Sequence, residues 1–263
     1  MRLYQVDAFA SKRFTGNPAI VCLLDMPRED TWMQAFASEM NLSETAFVES
    51  NDSHYGLRWF TPSIEVDLCG HATLASAHIL WETGATEANR IIEFNTRSGY
   101  LSATCEGDWI QLDFPATPAK KTTCNIDLER ALGVPPIHIG KSIFDFLVEV
   151  SSEEVVRGIN PDLSLIGRAA ARGVIVTAES TSDDYDFVSR FFSPQSGVAE
   201  DPVTGSAHCC LAPYWAHRMG KNELVGYQAS PRGGTVRVRL RNDRVVLGGQ
   251  AVTVFGAEML ESR

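Results

Sequence analysis

Glu44, Cys69, His71, Asp201 and Ser206 are the side chains in this 263-residue sequence whose types and settings suit proton transfer or anion binding. Glu44 opens the apolar run Ala46, Phe47, Val48, so its carboxyl is expected to be partly buried and its pKa raised toward neutrality, as a proton shuttle needs. His71 falls in the first turn of an expected helix, where the helix dipole disfavours positive charge, so a neutral imidazole that hydrogen-bonds a substrate is expected. Asp201 precedes Pro202 and a second helix, a place where acids cap or offset helix charge; orienting His71 or a substrate amine is also open to it. The helices begin Gly70-His71-Ala72-Thr73 and Gly205-Ser206-Ala207-His208. Small residues there let an anion approach the unpaired backbone N–H groups, which makes Gly70, His71, Ala72, Gly205 and Ser206 candidates for gripping a carboxylate. Each of these residues also has a plain structural reading, as a strand-start acid or a small helix-entry residue.

These groups are positioned by elements that occur twice. RWFTPSIEVDLCGHATLAS, from Arg58, and RFFSPQSGVAEDPVTGSAH, from Arg190, both run Arg, aromatic, Phe, small hydroxyl residue, Pro, acidic loop, Gly, small-residue helix. Glu49, Ser50 and Tyr55 match Glu179, Ser180 and Tyr185 at an offset of 130; Phe60 and Pro62 match Phe192 and Pro194 at 132; Gly70, Gly99 and Asp108 match Gly205, Gly234 and Asp243 at 135. Offsets that grow by loop-sized steps indicate a duplication. Periodicity predicts strands in LYQVDAF, AIVCLL, TAFVES, YGLRWF, RIIEF, GYLSATC and WIQLDF, and helices in EDTWMQAFASEM and GHATLASAHILWETG. After the linker-like PATPAKKTTCN, a helix in PDLSLIGRAAARG, strands GVIVTAE and YDFVSRFF, the helix GSAHCCLAPYWAHRMG and strands TVRVRL, RVVLGG and AVTVF follow. The reading is an α+β chain of two halves. The first spans 1–118 with a central helix near 70–83, the second 119–263 with one near 205–219, and a terminal strand is free to cross over. At an offset of 130 the counterpart of Glu44 is Val174, so only one half carries the acid.

A composition of 44% hydrophobic and 21% charged residues is that of an ordinary globular protein, and a net charge of −10 argues against a nucleic-acid partner. No stretch has the length of a signal-peptide core or a membrane span, so a cytoplasmic protein with no membrane partner is expected. None of the six cysteines forms a Cys-x-x-Cys pair, no His/Asp cluster has ligand spacing, and there is no phosphate loop, so neither a metal nor a nucleotide is expected. Cys209 and Cys210 read as small core residues. Cys69 stays open: a two-thiol racemase would place a cysteine at each helix start, but at offset 135 its partner is Thr204, whose hydroxyl is too weak an acid. A non-catalytic binding protein is the remaining alternative.

The stretches TGNPAIVCLL (15–24), NLSETAF (41–47), FTPSIEVDLCGHAT (60–73) and EDPVTGSA (200–207) resemble the marks of the phenazine biosynthesis-like (PhzF) family, which is similar in fold to diaminopimelate epimerase. The resemblance covers essentially the whole chain. It implies two pseudo-symmetric domains, each a β-barrel-like sheet around a central helix, an interdomain active site, a homodimer, and isomerase chemistry without a cofactor on a small cyclic or unsaturated carboxylic acid. The type member isomerises a dihydro-hydroxyanthranilate. The resemblance also implies an acid/base role for Glu44, catalytic roles for His71 and Asp201, and substrate-binding roles for Gly70, His71 and Ser206.

Overall fold

The computed structural model describes residues 1–51, 54–88, 90–123, 126–169 and 172–260. They fall into two compact units, Met1–Asp113 with Gly248–Arg263, and Phe114–Leu247. The first unit's last segment is the C-terminal strand, so its sequence-based limit of 118 becomes Asp113 plus this returning piece.

In the first unit, β1 (Arg2–Ala8), β2 (Asn17–Leu24), α1 (Asp30–Met40), β3 (Glu44–Ser50), β4 (Tyr55–Phe60), β5 (Glu65–Val66), α2 (Gly70–Glu82), β6 (Ile92–Thr96) and β7 (Gly99–Glu106) follow in order, and β8 (Trp109–Pro115) leads out of it. The second unit holds β9 (Lys120–Lys121), α3 (Ile126–Leu132), β10 (His138–Lys141), β11 (Asp145–Glu149), α4 (Glu153–Gly158), α5 (Leu163–Ala169), β12 (Gly173–Glu179) and β13 (Phe187–Ser193). It continues with β14 (Val198–Asp201), α6 (Gly205–Met219), β15 (Glu223–Gln228), β16 (Gly234–Arg241) and β17 (Arg244–Gly249). The last strand, β18 (Ala251–Glu258), pairs antiparallel with β1.

The two units repeat each other pairing for pairing. β1–β2 and β10–β11 are antiparallel, β2–β3 and β11–β12 parallel, β3–β4 and β12–β13 antiparallel. β4–β5 and β13–β14 are antiparallel, β4–β6 and β13–β15 parallel, β6–β7 and β15–β16 antiparallel. The register corrects one sequence match. Thr45 lies opposite Phe60 and Val174 opposite Phe192, so the counterpart of Glu44 is Gly173 and not Val174. A Cβ at Gly173 would collide with the Phe191 ring, so no acid fits there.

The repeated Arg has a structural task. Arg58 on β4 donates through Nε and Nη2 to both carboxylate oxygens of Glu65 at 2.7 Å, and Arg190 on β13 does the same to Glu200 at 2.6 and 2.8 Å. Each guanidinium also covers a Phe ring two residues on, Phe60 at 5.2 Å and Phe192 at 4.8 Å. Such forked pairs fix geometry as well as adding energy, and here each fastens the short strand that feeds a central helix.

Each central helix packs against strands of its own unit, α2 on β1, β2, β3 and β18 and α6 on β11, β15 and β16. α2 buries residues on all sides, from His71 through Ala77 and again at Ile79 and Leu80, as a helix apolar all round should. Leu74, Ile79 and Leu80 each contribute roughly 1.5–3 kcal/mol by burial. Its interior hydroxyls turn back on the helix, Thr73 Oγ1 donating to Cys69 O at 2.5 Å and Ser76 Oγ to Ala72 O at 2.7 Å. In α6, Trp215 stacks on Phe187 at 5.9 Å and donates from Nε1 to Thr177 Oγ1 at 3.0 Å. α6 continues through Pro213, and Cys209 and Cys210 are buried as expected. Cys124 lies outside the described residues.

Candidate functional site

The first unit gathers Glu44, Cys69, His71 and Asn17 from three elements. Gly16, at φ +67°, occupies a position where a Cβ would strike Ala8 O, and this tight turn delivers Asn17 to the start of β2. Glu44 heads β3 beside Ala19 of β2, and His71 is the second residue of α2. His71 Nε2 lies 3.2 Å from Glu44 Oε2, and on the other side of the ring Nδ1 faces Asn17 Nδ2 at 3.2 Å and Cys69 Sγ at 3.6 Å. His71 is almost fully buried and the Glu44 side chain is 19% exposed. The Glu44–His71 approach is off the line of a good hydrogen bond. Among the described residues neither Glu44 Oε2 nor His71 Nε2 has a hydrogen-bond partner.

Burial pushes the His71 pKa down, but the Cys69 sulfur as a hydrogen-bond acceptor and the charge of the Glu44 carboxylate raise it and prevail, so it lies well above the ordinary histidine range. This overturns the neutral imidazole expected from the helix dipole alone. The dipole acts over the first turn, whereas Glu44 is 3.2 Å away in a low-dielectric setting. Asn17 suits both ring states: its amide nitrogen donates to a bare Nδ1, and rotation of the amide offers its oxygen to Nδ1–H. Burial, then the Glu44 charge, push the Cys69 thiol pKa up, so it stays protonated near neutrality and is a poor base.

Glu44, Cys69 and His71 offer ligand atoms within 4.8 Å of one another, a grouping that sequence spacing did not reveal. A carboxyl, an imidazole and a thiol in one cluster are also groups that can pass a proton.

The second unit places different chemistry on the same scaffold. Cys69 and Thr204 are the extended N-cap residues of α2 and α6, and neither helix is capped by a side-chain oxygen. Thr204 Oγ1 instead donates to Asp201 Oδ2 at 2.5 Å, while Gln228 accepts from Thr204 N at 2.9 Å and donates to Asp201 O at 2.7 Å. Asp201 thus holds the hydroxyl that would otherwise cap α6. Ser206, the counterpart of His71, accepts from Arg172 Nη2 at 3.0 Å. Sequence reasoning singled out Glu44, Gly70, His71, Ala72, Asp201, Gly205 and Ser206 but missed Asn17, Arg172 and Asp145. Asn17 had a signal, the Gly-Asn-Pro turn; Arg172 and Asp145 stand in no motif.

A family model described as phenazine biosynthesis-like protein matches residues 6–257. An uncharacterized isomerase of Halalkalibacterium halodurans is 54% identical over 259 residues, 98% of each chain. An uncharacterized isomerase of Pseudomonas aeruginosa is 50% identical, over 97% of this chain and 96% of that one. The crystal structure of a PhzF-family phenazine biosynthesis protein from Enterococcus faecalis superposes with a TM-score of 0.94 at 40% identity, covering 99% of each chain.

Proposed function

The chain belongs to the phenazine biosynthesis-like family and is an isomerase, and from that premise we propose that it moves a hydrogen along a small cyclic or unsaturated carboxylic acid by acid/base catalysis. The observation that carries this reading is the partly buried Glu44–His71 contact, in which Glu44 Oε2 and His71 Nε2 face each other at 3.2 Å and neither atom has a hydrogen-bond partner among the described residues. Glu44 takes the hydrogen from carbon as a proton and returns it at another carbon of the conjugated system. His71, with its raised pKa, balances the carboxylate charge and holds its orientation. The backbone N–H groups of Gly70, His71, Ala72 and Gly205, with the N–H and hydroxyl of Ser206, bind anionic oxygen, because helix starts without a side-chain oxygen cap keep their positive character. Asp201 supports this by drawing the Thr204 hydroxyl away from α6. The chain itself supplies the groups this step requires, and a cofactor-independent reaction is part of the proposal.

The thiol racemase is the weaker reading. Its base would be Cys69, whose pKa is raised, and the counterpart at the other helix start is Thr204. The test is Glu44→Gln, which keeps size and loses the proton acceptor. Turnover should fall by roughly 10²–10⁴ while carboxylate binding persists. Wild-type turnover in the folded variant would overturn the mechanism, and loss of binding together with turnover would recast Glu44 as a substrate-holding residue.

A further inference from the structure

Arg172 is held on several sides within the second unit. Its Nε and Nη2 donate to Asp145 Oδ1 and Oδ2 at 2.8 and 2.5 Å, and the Asp145 side chain is only 1% exposed. The guanidinium lies over the Phe144 ring at 4.8 Å and is 5.8 Å from that of Phe191. A fork on a buried carboxylate, with aromatic rings against its face, fixes the plane of the group at little further cost in side-chain entropy. The same Nη2 then reaches Ser206 Oγ at 3.0 Å, in the first turn of α6. Arginine can only donate, so Ser206 Oγ is the acceptor in that contact. Its own proton is thereby free to point elsewhere, and a cation on the oxygen makes the O–H a stronger donor.

A purely structural ion pair would need Asp145 and Arg172 alone. The contact that exceeds this need is the one to Ser206, at the position where the first unit sets His71 against a carboxylate. We infer that Arg172 is a positioning residue for anion binding: it orients and polarises the Ser206 hydroxyl to donate to a carboxylate oxygen of the substrate. The inference rests on the reading of this chain as an isomerase of small carboxylic acids, and its test reads binding instead of turnover, so the two fail separately.

The test is a double-mutant cycle on the full chain, with benzoate and acetate as probes, titrated by calorimetry or by NMR shift. Arg172→Lys keeps a cation beside Asp145 but loses the fork; Ser206→Ala removes the hydroxyl and leaves the ion pair untouched. Each single variant should weaken carboxylate binding roughly tenfold, as loss of a hydrogen bond to a charged group does. If Arg172 acts through Ser206, the double variant should bind no more weakly than Ser206→Ala. Ser206→Thr, which keeps the hydroxyl, should recover most of the affinity. Additive losses, unchanged binding in folded Arg172→Lys, or wild-type protein that binds neither probe would each overturn the inference. Should Arg172→Lys fail to fold, full binding by Ser206→Ala would overturn it equally.

Discussion

At the first turn of α2 an imidazole faces a carboxylate; at the equivalent turn of α6 a hydroxyl faces a guanidinium. The backbones there are near copies. Thr73 and His208 occupy matching places, and each donates from its backbone and its side chain to the carbonyl of its N-cap residue, Cys69 or Thr204. What differs is the charge placed beside each helix. His71 and His208 are both buried, yet the Glu44 carboxylate helps hold the His71 pKa high, while His208 is driven down to about 4 by burial. Duplication supplied two like scaffolds, and the neighbours set an imidazole against a carboxylate on one and a hydroxyl against a guanidinium on the other.

The largest expected effect concerns the repeated Arg–Glu pairs. Arg190 is 11% exposed and also donates to Ile159 O at 2.6 Å, whereas Arg58 is 33% exposed. Removing one partner of a buried pair strands the other charge, so Arg190→Met should cost about 3 kcal/mol or more and Arg58→Met about 1 kcal/mol. Urea denaturation of the two variants checks the ranking; equal midpoints would show that exposure does not distinguish the halves.

The two histidines should give opposite pH dependence. For His208 the unfolded chain takes up a proton below the ordinary histidine pKa of 6.5, but the folded chain does so only near 4. Stability should therefore fall as pH drops from 6.5 to about 4, by on the order of 3 kcal/mol, and His208→Gln should remove that slope. For His71 the folded pKa is raised, so its contribution is complete below 6.5 and is lost as pH climbs through the folded value. Thermal melts of His208→Gln between pH 4 and 6.5, and of His71→Gln as pH rises above 6.5, test both signs. A slope unchanged in either variant would assign the titration to another group.

The smallest expected effect is that of Cys69→Ser. A protonated, buried thiol that only lines the His71 ring should be replaceable with less than a tenfold change in turnover, whereas loss of a general base costs about 10²–10⁴. A collapse of turnover in the folded variant would move the chemistry to the thiol.

Much of this was legible in the sequence, for identifiable reasons. The paired Arg-aromatic-Phe stretches revealed the duplication because the Arg and its acid perform the same fastening task in each half. Both central helices were readable from their small first turns and long apolar runs. β10, β11 and α3 were not predicted, and β15 was also missed, its alternation being broken by Gly226. The Val174 match arose because identical Glu-Ser pairs align at an offset of 130. Strand register, which depends on the ladder instead of on residue identity, gives Gly173. The grouping around His71 depends on contacts across long separations, 54 residues from Asn17 to His71, and so do the Arg172 contacts to Asp145 and Ser206, 27 and 34 residues away. No local spacing rule reaches that far.

The central claim is that Glu44 removes a hydrogen from carbon and returns a proton elsewhere on the substrate. The most direct measurement is mass spectrometry of the product formed in deuterium oxide by the wild-type protein and by Glu44→Gln. A carboxyl that is 19% exposed meets solvent between turnovers, so wild-type product should carry deuterium at carbon, and the variant should give neither product nor label. Labelled product formed by Glu44→Gln at the wild-type rate would contradict the account.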